Sequence, residues 1–442
     1  MAKKKKKEES LPISAISVKG FKCFRDETEI ELRPLTILAG ANSSGKTSIM
    51  QPLLLMKQTL QCPWDPGPLL LEGPNANFTS VKQMLWRGQF DDGAKSFNIE
   101  LSKGENLKVK QTFRRSSGKI KGFSLSSLEH FDNGKHIKWH KTMKRKELED
   151  NIPEFLFDIS RSISKDLNKD LIWYIDFERC IMAVSLKIRK SSHPIRFFKD
   201  FTFTPIAGFI PTIKDIIHLP GLRGNPLRVY PATSVGEAYS GVFQGYVASI
   251  IASWKDNNNE RLEQLCNSLE KLGLTWRIES SYLSDTQIEL LVGRLPTQKQ
   301  SIDNDLVNIA DVGFGVSQVL PVVLAMLVAE PGQLVFIEQP EIHLHPRARV
   351  ILAELIAETA KRGVILIIET HCSIILKSIQ TLVAKGELPE KLVKLHWFQR
   401  REDGSSEVKS RDLSPKGAYG DWPVDFGKVD LDVEQGYLEA VL

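Results

Sequence analysis

Apolar and polar positions alternate from Ile13 through Val18, which predicts a strand with one face on a core. A second strand-like stretch, ETEIELRPLTILAG, closes on the short buried run 36–39 and Gly40. Residues 48–60 then place Ile49, Leu53, Leu54 and Met56 at helical spacing. CPWDPGPLLLEGP, around 63–74, is a Pro/Gly-rich break. Residues 98–115 return to strand-like alternation, while 150–200 mix both periods. Further on, 235–254 and 260–272 read as helices and 287–292 as a strand. From 317 the pattern alternates: helix 317–328, strand 333–338, helix 346–361, strand 363–369. Alternating helix and strand imply a parallel sheet covered by helices.

The fold class expected is α/β: a P-loop head with a mixed core sheet flanked by helices, plus an inserted mixed α/β subdomain. The expected divisions are a Lys-rich tail (1–12), a first head part with the phosphate loop (13–75) and an inserted subdomain (76–230). They continue with a helical lobe (231–304), a second head part (305–400) and a C-terminal docking tail (401–442). The chain has 442 residues, which fits roughly two or three domains.

Composition narrows the setting. The net charge is only +5, and the run Lys3 to Lys7 reads as a solvated tail. The longest apolar run, 319–329, has 11 residues and holds a proline, against the roughly 18 needed to cross a bilayer. The lysines lead into Glu8, Glu9 and Ser10 with no apolar stretch, so no secretory signal is expected. Cys23, Cys62, Cys180, Cys266 and Cys372 are scattered and odd in number, which points to a reducing cytoplasm without disulfides or a thiolate zinc site. Residues 101–150 are rich in Lys and Arg, a solvated face or a nucleic-acid surface.

GANSSGKT, 40–47, fits G-x-x-x-x-G-K-[ST] and lies between a buried strand and a helix, the context the motif requires. Gly40 and Gly45 allow backbone turns that larger residues resist. The amides of Ala41, Asn42, Ser43, Ser44 and the residues up to Ser48 then face a phosphate at the positive end of a helix. Lys46 reaches the outer phosphate oxygens and the Thr47 hydroxyl takes Mg²⁺. The strand 335–338 ends in Glu338, assigned to the magnesium. Gln339, Glu341, His343 and His345 follow at once, and the histidines lack the third ligand cluster of a dedicated metal site. ETHCS, 369–373, puts His371 past another strand end, where it can meet a γ-phosphate. In DVGFGVSQVLP, Gly313 and Gly315 lead to Ser317, read as a helix cap, and Gln318. That makes a second anion-binding helix end, which a dimer capping each other's nucleotides would use.

In this order, GANSSGKT, VGFGVSQ, FIEQPEIHLHP and ETHCS resemble an ATPase of the ABC superfamily, within it the soluble OLD (overcoming lysogenization defect) and SMC-like AAA-type class. ISVKGFKCF and the RPLTIL lead into the loop are similar to that class as well. HLPGLRGNPLRVYP resembles an OLD-like segment whose Arg223 and Arg228 have no sure role. The resemblance covers about 13–60 and 305–375. It implies ATP and Mg²⁺ held between two heads, with Gly40, Gly45, Lys46, Thr47 and Glu338 on one copy, and Gly313, Gly315, Ser317 and Gln318 acting in trans. His371 would sense the γ-phosphate, and one of Gln58, Gln83 and Gln89 would serve as the Q-loop glutamine, the latter two being better placed. The chain departs from the pattern at Gln339, where a catalytic glutamate is usual. An amide orients water but takes no proton, a loss of roughly 10²- to 10⁴-fold unless Glu341 or the phosphate itself substitutes. The stretch after His371 lacks the clustered acids of a Toprim nuclease, and 421–432 reads as a packing tail.

Three functions follow as expectations. The first is an ATP hydrolase whose homodimer or higher homo-oligomer controls a separate effector, a nuclease being the first candidate, in anti-phage defence. The second is a nucleotide-gated scaffold that scarcely turns over. The third is a DNA-repair-type head that binds DNA through 101–150. No membrane partner is expected.

Overall fold

The computed structural model describes residues 11–88, 93–116, 122–167, 171–188, 202–236, 239–295, 305–420 and 428–441. Gln89, most of the Lys-rich tail and much of 421–432 lie outside them. In chain order the strands are β1 (Ala15–Lys19), β2 (Thr28–Glu31), β3 (Leu35–Gly40), β4 (Ser96–Lys103), β5 (Leu107–Arg115), β6 (Phe123–Asp132), β7 (Lys135–His140), β8 (Leu171–Glu178) and β9 (Ile181–Ile188). They continue as β10 (Ile217–Leu219), β11 (Tyr230–Pro231), β12 (Ile278–Ser284), β13 (Gln287–Gly293), β14 (Leu306–Asn308), β15 (Leu334–Glu338), β16 (Ile365–Thr370), β17 (Val393–Arg400) and β18 (Ser406–Asp412). The helices are α1 (Lys46–Gln61), α2 (Arg145–Asp150), α3 (Glu154–Leu167), α4 (Ile210–Lys214), α5 (Val247–Asp256), α6 (Glu260–Lys271), α7 (Phe314–Val328), α8 (Pro346–Lys361), α9 (Ser373–Ala384) and α10 (Lys428–Val441).

The chain divides into two compact units. One is 1–30, 48–214 and 401–406; the other is 31–47, 215–400 and 407–442. The first is built on a sheet ordered β2-β1-β4-β5-β6-β7, antiparallel from β1 through β7. Its core includes an aromatic cluster in which the Phe97 ring stacks on Phe113 and meets Phe21 and Phe123 edge-on. The second unit carries the sheet β10-β15-β16-β3-β17-β18, parallel from β10 through β17. β3 and β16 are buried at every position, as continuous apolar runs in a two-sided parallel sheet require. α7 is apolar nearly all round and lies wholly in the interior beyond its first turn. α8 starts where the sequence marks it, with the His345 side chain accepting from the Arg347 N–H and Pro346 at the first helical position.

Several boundaries differ from the sequence reading. Residues 215–230 belong with the head unit and not with the inserted subdomain, because the short strand Ile217–Leu219 pairs with β15. The lobe 231–304 carries a sheet beside its helices: β12 and β13 form an antiparallel pair, and β11 and β14 both join β13. The helix expected from 235 begins at Val247, after a 3-10 turn at Phe243–Tyr246, since Gly241 takes φ +75° and interrupts it. Within 401–442, β18 is an edge strand of the core sheet.

The parallel sheet also buries one titratable ring. His396 on β17 is fully buried between Ser410 (2.8 Å) and the Glu31 carbonyl (2.8 Å), and burial pushes its pKa from 6.5 to about 4. The folded chain therefore keeps this ring neutral where the unfolded chain takes up a proton. Stability should fall as pH drops from about 6.5 towards 4, by on the order of 3 kcal/mol from this site. Unfolding midpoints between pH 7.5 and 5 check this, with His396→Gln flattening the profile.

Candidate nucleotide site

The site is assembled within the second unit, at the carboxyl ends of its parallel strands, where loops meet helix N-termini. The loop after β3 is shaped by Gly40 at φ +140°, Ser43 at +58° and Gly45 at +105°. Gly40 also approaches the Phe398 carbonyl of β17 so closely that a Cβ would collide with it. Lys46 is buried, and its ammonium donates to the carbonyls of Gly40 (3.1 Å) and Ala41 (2.7 Å). Burial lowers its pKa, opposed by the charge of Glu369. Arg400 donates to the Ser43 carbonyl at 3.1 Å, bracing the loop from β17.

Register brings the acids together. Glu338 pairs with Glu369 across β15 and β16, and Thr370 pairs with Ala39 beside the loop. The Thr47 hydroxyl donates to Glu369 Oε2 at 2.7 Å. Burial, with Glu338 nearby, lifts the Glu369 pKa to about 7, so this carboxyl is poised between its two states near neutrality. Sequence reasoning gave Glu369 no role. The missed signal is that VILIIE repeats the pattern of VFIE, an apolar run ending in an acid. Glu338 itself receives the Gly221 N–H at 3.1 Å and contacts His218 Nε2 at 3.1 Å. The His218 ring is set by stacking on Phe336, 5.4 Å between centroids.

Gln339 follows in a left-handed conformation, φ +45°, with its N–H on the Glu369 carbonyl at 2.7 Å. Such a backbone in a non-glycine residue is costly and is held by its surroundings. Glu341 is buried. Its Oε1 receives the Thr370 hydroxyl at 2.5 Å and the His371 N–H at 3.3 Å, while Oε2 has no partner. Burial raises its pKa. It thus holds the β16 loop that carries His371. Burial and nearby Lys46 lower the His371 pKa against the Gly40 carbonyl, so the ring is neutral at pH 7. Among the described residues no cluster of three or more His, Cys, Asp or Glu is arranged for a metal, and His343 and His345 join none.

α7 starts one turn earlier than the sequence reading has it. Gly313 is its N-cap and Ser317 lies inside the first turn, its hydroxyl on the Phe314 carbonyl at 3.1 Å. Gly315 packs against Leu274 and the His343 carbonyl. Phe314 is half exposed at the helix tip. Of the three glutamines considered, Gln58 is buried and ties 70–76 together through Leu70, Asn75 and Ala76, while Gln83 completes a capping box with Ser80. In the basic stretch, Lys108 and Lys110 face Glu100, Lys138 pairs with Glu129 and Arg145 with Glu149, which reduces its usable positive charge.

A family model described as "AAA domain, putative AbiEii toxin, Type IV TA system" matches residues 35–376. No curated protein matches the sequence. Among solved structures, the chain is similar to an SMC head bound to the C-winged helix domain of ScpA: 13% identity, 91% of this chain and 98% of that one, TM-score 0.46. It is also similar to an SMC head with an extended coiled coil from Pyrococcus furiosus, bound to the C-terminal domain of ScpA: 13% identity, 97% and 99%, TM-score 0.45. An SMC head from Thermotoga maritima gives 13% identity, 90% and 98%, TM-score 0.40.

The loop geometry can be probed without any ligand. Gly40→Ala is expected to lower the unfolding free energy by about 1–3 kcal/mol. Gly245→Ala, where an added Cβ meets nothing within 4 Å, should change it by less than about 0.5 kcal/mol. Urea denaturation of the two variants reads the difference.

Proposed function

Because the chain belongs to this family of AAA-domain ATPases, we propose that it binds ATP with magnesium, hydrolyses it between two copies of itself, and through that cycle controls a separate effector. The observation that carries the reading is the Thr47–Glu369 contact beside Lys46, at the end of a parallel sheet whose neighbouring strand ends in Glu338. The donor set fits the group it would hold. A loop with left-handed glycines and a buried lysine suits phosphate oxygens, and a hydroxyl on a buried carboxylate suits a hard divalent cation. Magnesium supplies charge neutralisation at the phosphates. Gly40 to Ser48 would line the nucleotide, Glu338 and Thr47 would serve the cation, and Glu369 joins them.

The second copy would contribute Gly313, Gly315, Ser317 and Gln318 from the first turn of α7. The half-exposed Phe314 at that tip fits a surface that meets another chain. His371, close to Lys46 and with burial favouring its neutral form, can donate a ring N–H to a terminal phosphate oxygen. Glu341 acts as the anchor of that histidine, since its hydrogen bonds run to the His371 loop. The toxin–antitoxin wording of the family description accords with an effector, a nuclease being the first candidate, in defence against phage. A cytoplasmic setting fits the free cysteines and the absence, among the described residues, of any helix long and apolar enough to cross a membrane.

Gln339 supports a second reading, a nucleotide-gated scaffold with slow turnover, because no carboxylate stands at that position. Lys46→Ala should weaken binding of a fluorescent ATP analogue by about tenfold to a hundredfold. Unchanged affinity would defeat both readings. Gln339→Glu separates them by phosphate release: a gain of roughly 10²-fold or more marks the scaffold, and little change marks a working hydrolase.

A further inference from the structure

Arg223 is 1% exposed, and an arginine is seldom buried so completely without a specific task. Its NH2 group donates to the carbonyls of Glu338 at 2.6 Å and Gln339 at 3.2 Å. Its NH1 group donates to the Gln318 carbonyl at 3.4 Å, in the first turn of α7. Gln318 answers by donating its side-chain amide to the Gly224 carbonyl at 2.7 Å. Two and five residues before Arg223, Gly221 and His218 hold the two oxygens of the Glu338 carboxylate. The segment 218–224 is therefore a strap. One end grips the acid that terminates β15, and the other grips the helix that begins with the glycine-serine turn.

We propose that Arg223 is a positioning residue that locks the first turn of α7 to the Glu338–Gln339 turn, so that the helix end offered to a second copy's nucleotide and the acid serving this chain's own nucleotide move as one body. The inference rests on the shared-nucleotide reading above. The guanidinium suits the task because its planar fork presents several donors in fixed directions, and here they reach carbonyls from two separate elements. The Glu338 and Glu341 carboxylates supply the countercharge that lets it stay charged while buried. One of its acceptors is the carbonyl of Gln339, the residue held at φ +45°, so the same contact helps fix the strained turn. Lysine could keep the charge, but its donors radiate from a single nitrogen and cannot match the two separated nitrogens of the fork.

Arg223→Lys tests this in the full chain, at temperatures well below its own unfolding midpoint. Fluorescent ATP-analogue affinity should stay within about threefold of wild type, because the cradle is untouched. Self-association driven by ATP, followed by sedimentation, and kcat for phosphate release should both fall by about tenfold or more, with KM within about twofold. If a folded variant keeps association and kcat within about twofold, the lock does not exist. Nucleotide affinity falling in step with association would also overturn it, since Arg223 would then only support the cradle. Arg223→Gln, read by the same measures, takes the place of the lysine variant should that one fail to fold. A wild-type chain that binds ATP yet stays single defeats the shared-nucleotide reading before any variant is made, and the present inference falls with it.

Discussion

Two carboxylates, Glu338 and Glu369, end neighbouring parallel strands in register. In a largely buried place, like charges at that spacing repel strongly, and each raises the cost of ionising the other. The structure answers differently for each acid. Glu338 accepts the Gly221 N–H and lies against His218. Glu369 is pushed up to about 7 and accepts from Thr47. Much of the local architecture follows from this pair. β10 must join the sheet to deliver His218, and the loop after it must turn back to present the Gly221 amide. A doubly charged cation is the natural partner for two neighbouring carboxylates, because its charge offsets their mutual repulsion.

How much of this was legible in the sequence depends on the range of the interactions. The phosphate loop reads directly because its strand, glycines, lysine and helix are contiguous. β15 and β16 read directly because buried parallel strands are unbroken apolar runs. Glu369 was missed because its partner Thr47 is 322 positions away in the chain, and only strand order makes them neighbours. The segment 217–224 was assigned to the inserted subdomain for a similar reason. Three residues, two of them apolar, make too short a strand to detect, and their membership in the core sheet rests on pairing with β15. Ser317 was read as a cap because serine favours that position, whereas Gly313 takes it with an extended backbone. Which residue caps was decided by where α7 packs, a tertiary matter.

The buried polar groups around β15 form a connected set. Glu341 fixes Thr370 and His371, Arg223 fixes Glu338, Gln339 and Gln318, and Gln318 returns to Gly224. A connected network in a low-dielectric interior rewards one geometry and penalises partial versions of it.

That property bears on why an amide at Gln339 is tolerable. Its backbone N–H serves Glu369 and its carbonyl serves Arg223, so the residue's main chain is already committed to the network whatever its side chain does. A glutamate there would add a third carboxylate beside Glu338 and Glu369, where burial already pushes Glu369 up to about 7 and Glu338 takes a dedicated backbone donor. The glutamine keeps the shape of the turn without that charge. The side chain gives up a proton acceptor and spares the pair a further like charge.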